Sequence, residues 1–227
     1  MIKNIFILVG GKGSRLKEIT KKTPKPLIKI NSRPFLDYIL INLAKLETKK
    51  IYLLCCYKYK LFFKKYHNRK IHKSKIICIK EDKPLGTSGS LYNAKKFILN
   101  DTLVCNGDTY FDFNFNKIKY LKLKKSLMHM ICIKNKNYKS NKKLNNLIIR
   151  NNIIKYSTNS KVMNAGVYII SKKIIKVLKS KYFSLEDELI PKLILQKKVS
   201  GNKISSFSID IGTKKNLKEF KKIKKNS

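Results

Sequence analysis

The feature that most constrains this chain is an apolar run, residues 5–9, that ends in the glycine-rich turn G-G-K-G-S at residues 10–14. Such a run predicts a buried strand, and the glycines after it permit backbone angles and close approaches that other residues resist. Backbone N–H groups that converge in such a turn can bind a phosphate group. Arg15 follows the turn, and Lys25 stands between two prolines that stiffen its backbone.

The spacing of this turn excludes two better-known phosphate loops. A Walker A loop has the order G-x-x-x-x-G-K-[ST], but here the lysine lies between glycines. The dinucleotide-binding fingerprint needs a third glycine where Leu16 stands. What remains is the pattern G-G-x-G-x-R-L, followed by P-K-P.

The first half of the chain alternates between apolar segments of strand length and segments of helical periodicity. Strands are predicted at 2–9, 51–56, 76–79 and 102–105, and helices at 35–46, 61–66 and about 90–99, the last capped by Thr87 or Ser88. This order predicts an α/β fold, a Rossmann-like three-layer sandwich with a mainly parallel, mixed central sheet. Ligands in such sheets collect where strands end, so the glycine turn, the turn at 84–89 and Asp108 are expected at one edge.

The second half is less regular. We predict strands at 127–133, 167–170 and 207–211, a hairpin over 147–156 that turns at Asn151-Asn152, and helices at 174–178, 185–195 and about 214–223. No linker or internal repeat divides the chain. We therefore expect a single domain over residues 1–227, with a frayed tail at 221–227.

The chain is strongly basic, with 53 Lys and Arg, 13 Asp and Glu, and a formal net charge of +40. Such a charge first suggests a protein that binds polyanions. Only four of the basic residues are arginine, however, and arginine is the residue that reads phosphate and guanine with two hydrogen bonds. We therefore expect a diffuse charge and no specific nucleic acid partner, only sequence-independent binding that weakens with salt.

Several other classes of protein are disfavoured by composition. The five cysteines lie within apolar runs without a C-x-x-C pair, and the three histidines are scattered, so a zinc site is not expected. The cysteines read as small buried hydrophobes. No apolar run has the length of a membrane span, and the start of the chain lacks a cleavable signal layout, so we expect a cytoplasmic protein.

Four more short motifs follow the glycine turn. They are P-L-G-T-S-G at 84–89, N-G-D at 106–108, N-A-G-V-Y at 164–168 and I-D-I-G-T at 209–213. In this order and spacing, the motifs resemble the sugar-1-phosphate nucleotidyltransferases along nearly the whole chain, most of all the bacterial guanylyltransferases of heptose 1-phosphate and mannose 1-phosphate. The resemblance implies transfer of a nucleoside monophosphate from an NTP, with GTP favoured, to a heptose or hexose 1-phosphate. Pyrophosphate is released, and the product serves cell-surface glycan synthesis, such as lipopolysaccharide or capsule. A homodimer is compatible with it.

The resemblance also implies roles for four charged residues, which we take as catalytic. Asp108 and Asp210 would hold Mg²⁺, Arg15 would clamp the leaving pyrophosphate, and Lys25 would lie near the α-phosphate. Both substrates are polyanions, so their reaction requires that negative charge is neutralised. The structural alternatives are an Asx turn for Asp108, a helix cap for Asp210, a surface salt bridge for Arg15 and an exposed loop lysine for Lys25.

The remaining predicted contacts form two sets. The nucleotide-binding set is Leu8, Gly10, Gly11, Gly13, Ser14, Arg15, Lys25, Glu81, Pro84, Gly86 and Thr87. The sugar-phosphate-binding set is Gly107, Asn164, Gly166, Lys161 and Glu186. Gly86 and Gly89 would let backbone approach the ligand. Glu81 reads equally well as a guanine-binding carboxylate and as a solvated loop acid, and Glu186 equally well as a sugar ligand and as a first-turn helix acid.

One departure from the family pattern concerns the sugar. Relatives carry a Glu-Lys pair before N-A-G-V-Y, whereas this chain reads Y-S-T-N-S-K at 156–161, so only Lys161 is present to supply a phosphate contact. The base also stays open between guanine, uracil, thymine and cytosine. A choline-phosphate-type cytidylyltransferase is disfavoured by the 84–89 motif. A non-catalytic basic binding protein derived from a transferase is favoured by the charge and the missing pair, and opposed by the four charged residues.

Overall fold

The computed structural model describes residues 2–134, 146–157, 160 and 162–225. The chain folds into two compact units. The glycine-loop unit consists of Phe6–Pro84, Asn106–Lys119 and Phe207–Ser227. The hairpin unit consists of Met1–Ile5, Leu85–Cys105 and Tyr120–Ser206.

Six α-helices lie in the described ranges. They are α1 (Lys17–Lys22), α2 (Phe35–Ala44), α3 (Tyr59–Tyr66), α4 (Gly86–Asn93), α5 (Ile190–Leu195) and α6 (Lys214–Lys225). A wider π-type turn, Leu185–Leu189, runs directly into α5. Within these ranges, no helix has both the length and the apolar character needed to cross a membrane.

The described residues also form fourteen strands. They are β1 (Asn4–Leu8), β2 (Lys29–Ile30), β3 (Arg33–Pro34), β4 (Lys50–Cys55), β5 (Lys70–Ile71), β6 (Ser74–Lys80), β7 (Thr102–Asn106), β8 (Thr109–Phe111), β9 (Met128–Lys134), β10 (Leu147–Arg150), β11 (Ile153–Tyr156), β12 (Val162–Ile170), β13 (Val199–Ile204) and β14 (Ser208–Asp210).

The glycine-loop unit is built on strands in the order β1-β4-β6-β5. β4 and β6 are parallel, with Ile51 opposite Ile76, as the predicted β-α-β order requires. β8 and β14 form a separate antiparallel pair. Helix α6 is fastened by Phe220, whose buried ring packs edge-on against Phe35 and also contacts Tyr110. This aromatic contact holds α6, and β14 before it, in place.

The hairpin unit orders its strands β10-β11-β13-β9-β12-β7. β12 is antiparallel to both β7 and β9, whereas β13 is parallel to β9, so this part of the sheet is mixed. The predicted hairpin is confirmed, because β10 and β11 pair around Asn151 and Asn152 at φ values of 49° and 60°. Two successive residues at positive φ are typical of the type I′ turn, which matches the twist of the strands.

Several sequence predictions differ from the structure, and the segment predicted as a helix at 174–178 forms a 3₁₀ turn, Lys172–Val177. The helix expected from residue 90 begins at Gly86, so Thr87 and Ser88 both lie inside it and neither caps it. The Oγ1 of Thr87 instead accepts a hydrogen bond from the backbone N–H of Leu185 at 2.7 Å. In the tail predicted to fray, α6 extends as far as Lys225, more than one turn past its buried Phe220, and the fraying stays a prediction. Residues 226–227 lie outside the described ranges.

A buried polar cluster of the hairpin unit joins β9 to β13. His129, 6% exposed, shares hydrogen bonds with the Ser200 hydroxyl (Nδ1 to Oγ, 3.0 Å) and with the Asn202 amide oxygen (Nε2 to Oδ1, 2.7 Å). Because the amide oxygen can only accept, Nε2 donates and the neutral ring accepts from Ser200. Burial lowers the pKa of His129, and the Asn202 hydrogen bond offsets part of this effect.

This cluster predicts a pH-dependent stability. The folded-state pKa of His129 lies below its unfolded value of about 6.5, so its contribution is complete above about pH 6.5 and is lost as the pH falls through the folded pKa. We expect the melting temperature to fall more steeply between pH 7.5 and 5 in the wild-type protein than in His129→Gln. The control is His72→Gln, at an exposed histidine, which should keep the wild-type slope. Equal slopes in the wild-type protein and His129→Gln would contradict the assignment.

Candidate functional site

The glycine turn lies in the glycine-loop unit between β1 and the 3₁₀ turn Ser14–Leu16. Gly13 adopts φ +68°, where a side chain would be strained, and its carbonyl accepts hydrogen bonds from the Leu16 N–H and the Thr20 hydroxyl. A Cβ added to Gly11 would meet no atom within 4 Å. The turn is therefore anchored at Gly13, while its exposed backbone at Gly11 leaves room for a ligand.

Lys25 is buried beside this turn rather than exposed. It begins the 3₁₀ turn Lys25–Leu27, and its side chain, 7% exposed, passes close to Gly13. The Nζ atom lies 2.7 Å from Oδ2 of Asp108, whose side chain is 30% exposed. A buried ammonium is stable only with such a partner, so the predicted alternative of an exposed loop lysine is wrong.

Asp108 and Asp210 are brought together by the backbone. Asp210 ends β14 opposite Thr109 of β8, and the Ile211 N–H donates to the Asp108 carbonyl at 2.9 Å. Asp210 Oδ1 accepts from the Gly212 N–H at 2.7 Å and lies 4.0 Å from Nη2 of Arg15.

The predicted helix-cap alternative for Asp210 does not hold. Thr213 caps α6, because its Oγ1 accepts from the Asn216 N–H at 3.1 Å. The four charged residues predicted as catalytic thus form two neighbouring cation–carboxylate pairs, Lys25–Asp108 and Arg15–Asp210.

The two carboxylates suit a hard divalent cation in chemistry and in access. Carboxylate oxygens are the ligands that Mg²⁺ prefers, usually one or two of them together with waters and phosphate oxygens. The side chains of Asp108 and Asp210 are 30% and 44% exposed, so both can reach a ligand from solvent. The described residues contain no group of three or more His, Cys, Asp or Glu placed to hold a metal. A cation here would depend on this pair and on the substrate.

Other predicted ligand contacts of this unit are Gly107 on the sugar-phosphate side, and Glu81 and Pro84 on the nucleotide side. Gly107 is tightly enclosed, since an added Cβ would lie 2.6 Å from Cγ1 of Val9 and 2.9 Å from the Leu8 carbonyl. Glu81 follows β6 and is 4% exposed, so the solvated-acid alternative is wrong, and its contact with a base stays a prediction. Pro84 is exposed.

In the hairpin unit, the glycines of the 84–89 motif are required by the fold itself. Gly86 has φ +70°, and a Cβ there would lie 2.8 Å from the Phe183 carbonyl. A Cβ at Gly89 would lie 2.9 Å from the Lys181 carbonyl. The close approach that we predicted between these glycines and a ligand is, in the structure, an approach to the backbone at 181–183; ligand contact stays a prediction.

The sugar-side residues of the hairpin unit meet through a residue that was not predicted. Asn164 Nδ2 donates to the hydroxyl of Tyr168 at 2.6 Å, and this hydroxyl donates to Oε1 of Glu186 at 3.1 Å. Gly166, at φ +73°, donates its N–H to Asn164 Oδ1 at 2.8 Å. The sequence signal for Tyr168 was its place at the end of N-A-G-V-Y. Lys161 lies outside the described residues.

The cysteines do not offer a nucleophile. All five are free, and four of them are buried. Burial raises the pKa of Cys105 and of Cys132 to about 12, and raises that of Cys55 as well. These thiols stay protonated at neutral pH, as their interpretation as small hydrophobes requires.

An exposed glycine turn beside two cation–carboxylate pairs is typical of an enzyme that binds phosphate groups. The comparison with known proteins defines the class further. A match to the nucleotidyl transferase family covers residues 4–226, and the chain belongs to this family.

Three relatives illustrate the similarity. The D-glycero-alpha-D-manno-heptose 1-phosphate guanylyltransferase of Campylobacter jejuni subsp. jejuni serotype O:2 is 32% identical over 223 residues, 95% of this chain and 97% of that protein. The enzyme of the same name from Aneurinibacillus thermoaerophilus is 31% identical over 217 residues, 91% of this chain and 92% of that protein. A crystal structure of HddC from Yersinia pseudotuberculosis complexed with GMP-PN superposes with a TM-score of 0.78 at 27% identity, covering 98% of this chain and 99% of that chain.

These similarities confirm three predictions from the sequence. The resemblance to sugar-1-phosphate nucleotidyltransferases holds over nearly the whole chain, and the α/β fold class is that of the superposed structure. The protein is an enzyme of the class that transfers a nucleoside monophosphate to a sugar 1-phosphate. The family works with divalent cations.

The geometry around Gly212 and Gly107 predicts that alanine lowers turnover at the first position and stability at the second. At Gly212, a Cβ would lie 2.5 Å from Asp210 Oδ1 and 2.6 Å from Arg15 Nη2, two side-chain ends that can move. Gly212→Ala should leave the unfolding free energy within about 0.5 kcal/mol of wild type and lower turnover about tenfold or more, because the Arg15–Asp210 pair shifts.

Gly107→Ala should instead cost about 1–3 kcal/mol of stability, because its Cβ meets backbone and a packed Val9. Urea unfolding and pyrophosphate release measure the two effects. A Gly212→Ala protein with wild-type turnover would show that the position of this pair is unimportant.

Proposed function

We propose that this chain is a guanylyltransferase that makes a GDP-sugar from GTP and a heptose or hexose 1-phosphate for cell-surface glycan synthesis, with Mg²⁺ as its cation. The observation that carries the proposal is the pair of neighbouring ion pairs, Lys25–Asp108 and Arg15–Asp210, beside the open glycine turn. The names of the C. jejuni and A. thermoaerophilus relatives, and GMP-PN in the Yersinia structure, support the guanine base and the heptose.

In this proposal the two cations neutralise the nucleotide. Arg15 is largely exposed and can present its planar guanidinium to two phosphate oxygens. Lys25 is a buried point charge at the base of the turn. Lys25 is held in place by Asp108 before the substrate arrives, so it stabilises negative charge without reorganisation during the reaction. Arg15 adds its charge from the exposed side of the turn.

The attacking group is an oxygen of the sugar phosphate, which is already ionised, so no covalent nucleophile is needed. Catalysis then consists of alignment and charge neutralisation. Asp108 and Asp210 would hold the Mg²⁺, which when bound supplies positive charge against the phosphates. The hydrogen bond from the Ile211 N–H to the Asp108 carbonyl keeps the backbones of the two aspartate segments adjacent.

Substitution of the four charged residues tests the assignment. Asp210→Asn should abolish measurable turnover with the fold retained, because the change removes a negative ligand of a hard cation. Asp108→Asn should abolish turnover as well and also lower the stability, because the buried Lys25 loses its partner. Arg15→Ala and Lys25→Ala should each lower kcat/KM by about a hundredfold, the size of losing one preorganised charge. The measurement is pyrophosphate release at saturating Mg²⁺.

The control is Lys222→Ala, which removes a charge from α6. It should leave kcat/KM unchanged. If Arg15→Ala and Lys25→Ala behave like Lys222→Ala, neither residue acts on the nucleotide. If both aspartate variants keep near-normal rates, the cation is held elsewhere.

The substrates are tested with the wild-type protein. Each NTP is combined with Mg²⁺ and a panel of heptose and hexose 1-phosphates. We expect GTP with a heptose or mannose 1-phosphate to release pyrophosphate fastest. A preference for UTP, dTTP or CTP would overturn the choice of base, and no release from any pair would overturn the proposal.

A further inference from the structure

We infer that Tyr168 is a positioning residue for the sugar 1-phosphate: its buried hydroxyl holds Asn164 and Glu186 in one hydrogen-bonded chain. The inference rests on the proposed function, in which these two residues contact the sugar. All three residues belong to the hairpin unit.

The chain of hydrogen bonds exists because β12 is irregular. Asn164 pairs with Cys132 of β9, and Val167 pairs with the next residue, Ile131, so two additional residues are accommodated between them. In a regular strand, Asn164 and Tyr168 would be about 13 Å apart at about 3.3 Å per residue. The bulge shortens this to two ladder positions, about 7 Å, and the side chains meet at 2.6 Å.

The amide of Asn164 has one orientation in this arrangement. Its Oδ1 accepts from the N–H of Gly166, at φ +73° within the bulge, so its Nδ2 faces Tyr168. An amide nitrogen carries two hydrogens, and the hydroxyl of Tyr168 receives one of them. Asn164 is half-buried, so its amide can also meet a ligand.

Glu186 is aimed by its own segment. In the π-type turn Leu185–Leu189, the neighbouring acids serve the start of the turn: Asp187 exchanges hydrogen bonds with Ser184, and Glu188 accepts from the Ser184 N–H at 2.9 Å. Glu186 is the acid of this turn that receives the Tyr168 hydroxyl. π-type turns are rare and are frequent at functional sites.

Tyr168 has no exposed surface, and within the described part of the chain its hydroxyl is hydrogen-bonded to these two neighbours. Burial, and then the charge of Glu186, raise the pKa of Tyr168 well above its usual value, which keeps the phenol protonated as a donor. The half-buried carboxylate of Glu186 thereby gains a fixed direction.

The experiment is steady-state kinetics of Tyr168→Phe, varying the sugar 1-phosphate and the NTP separately. The variant removes the hydroxyl oxygen and with it the hydrogen bonds that orient Asn164 and Glu186. We expect KM for the sugar 1-phosphate to rise about tenfold, with KM for the NTP within twofold of wild type.

The matched control is Tyr66→Phe. Tyr66 is also buried and also donates to a carboxylate, Oδ1 of Asp37 at 2.6 Å, but in the glycine-loop unit. It should lose a similar amount of stability and leave both KM values unchanged. Similar kinetics in the two variants would show a structural role only and overturn the inference.

A double variant separates positioning from direct contact. If Tyr168 acts through Glu186, then Glu186→Ala raises KM for the sugar 1-phosphate at least as much, and adding Tyr168→Phe raises it little further. Fully additive effects would overturn the inference while leaving the proposed function intact. A wild-type protein that uses no sugar 1-phosphate would overturn the proposed function, and this inference with it.

Discussion

A buried positive charge is the constraint on which the glycine-loop unit depends. The Lys25 side chain is buried and passes close to Gly13, and its ammonium lies 2.7 Å from the Asp108 carboxylate. Removing one member of such a pair leaves an uncompensated charge, which costs several kcal/mol. The pair therefore ties the segment after the glycine turn to the N-G-D segment, where Asp108 follows Gly107. The stability of this unit and its proposed chemistry use the same two atoms, so a change at either residue is expected to affect both.

Much of this unit could be predicted from local sequence, because its signals are local. The apolar run before the glycines and the alternation of strands and helices each follow from a few adjacent residues, as does the Asn151-Asn152 turn of the hairpin unit. The predicted helix start at residue 90 was wrong because a contact distant in sequence is involved. Thr87 has the chemistry of a cap, but its hydroxyl is used by Leu185, nearly a hundred residues away in sequence. Such a tertiary contact overrides a local preference and leaves no trace in the neighbouring residues.

The carboxylates of the candidate site could be predicted because acidic residues are rare in this chain. With 13 acids in the chain, Asp108 and Asp210 stood out inside apolar runs, and the structure brings both to the paired strands β8 and β14. The role of Gly86 and Gly89 could not be predicted in full, because a glycine indicates a close approach but does not identify the approaching group. In the structure that group is the backbone at 181–183. Tyr168 was missed because a tyrosine in an apolar strand reads as core, and its importance depends on a bulge that spacing alone does not reveal.

The bulge in β12 contains an even number of additional residues, and this number determines the face that each side chain takes. Side chains of a strand alternate between two faces, so one additional residue reverses the face of everything beyond it. β12 accommodates two, from Ala165 to Gly166, and an even number preserves the alternation while shortening the ladder. Asn164 and Tyr168 thus stay on the same face of the strand, and the shorter ladder brings their side chains into contact. An insertion or deletion of one residue at this point would send the amide to the opposite side of the sheet, whereas a change of two would only alter its reach.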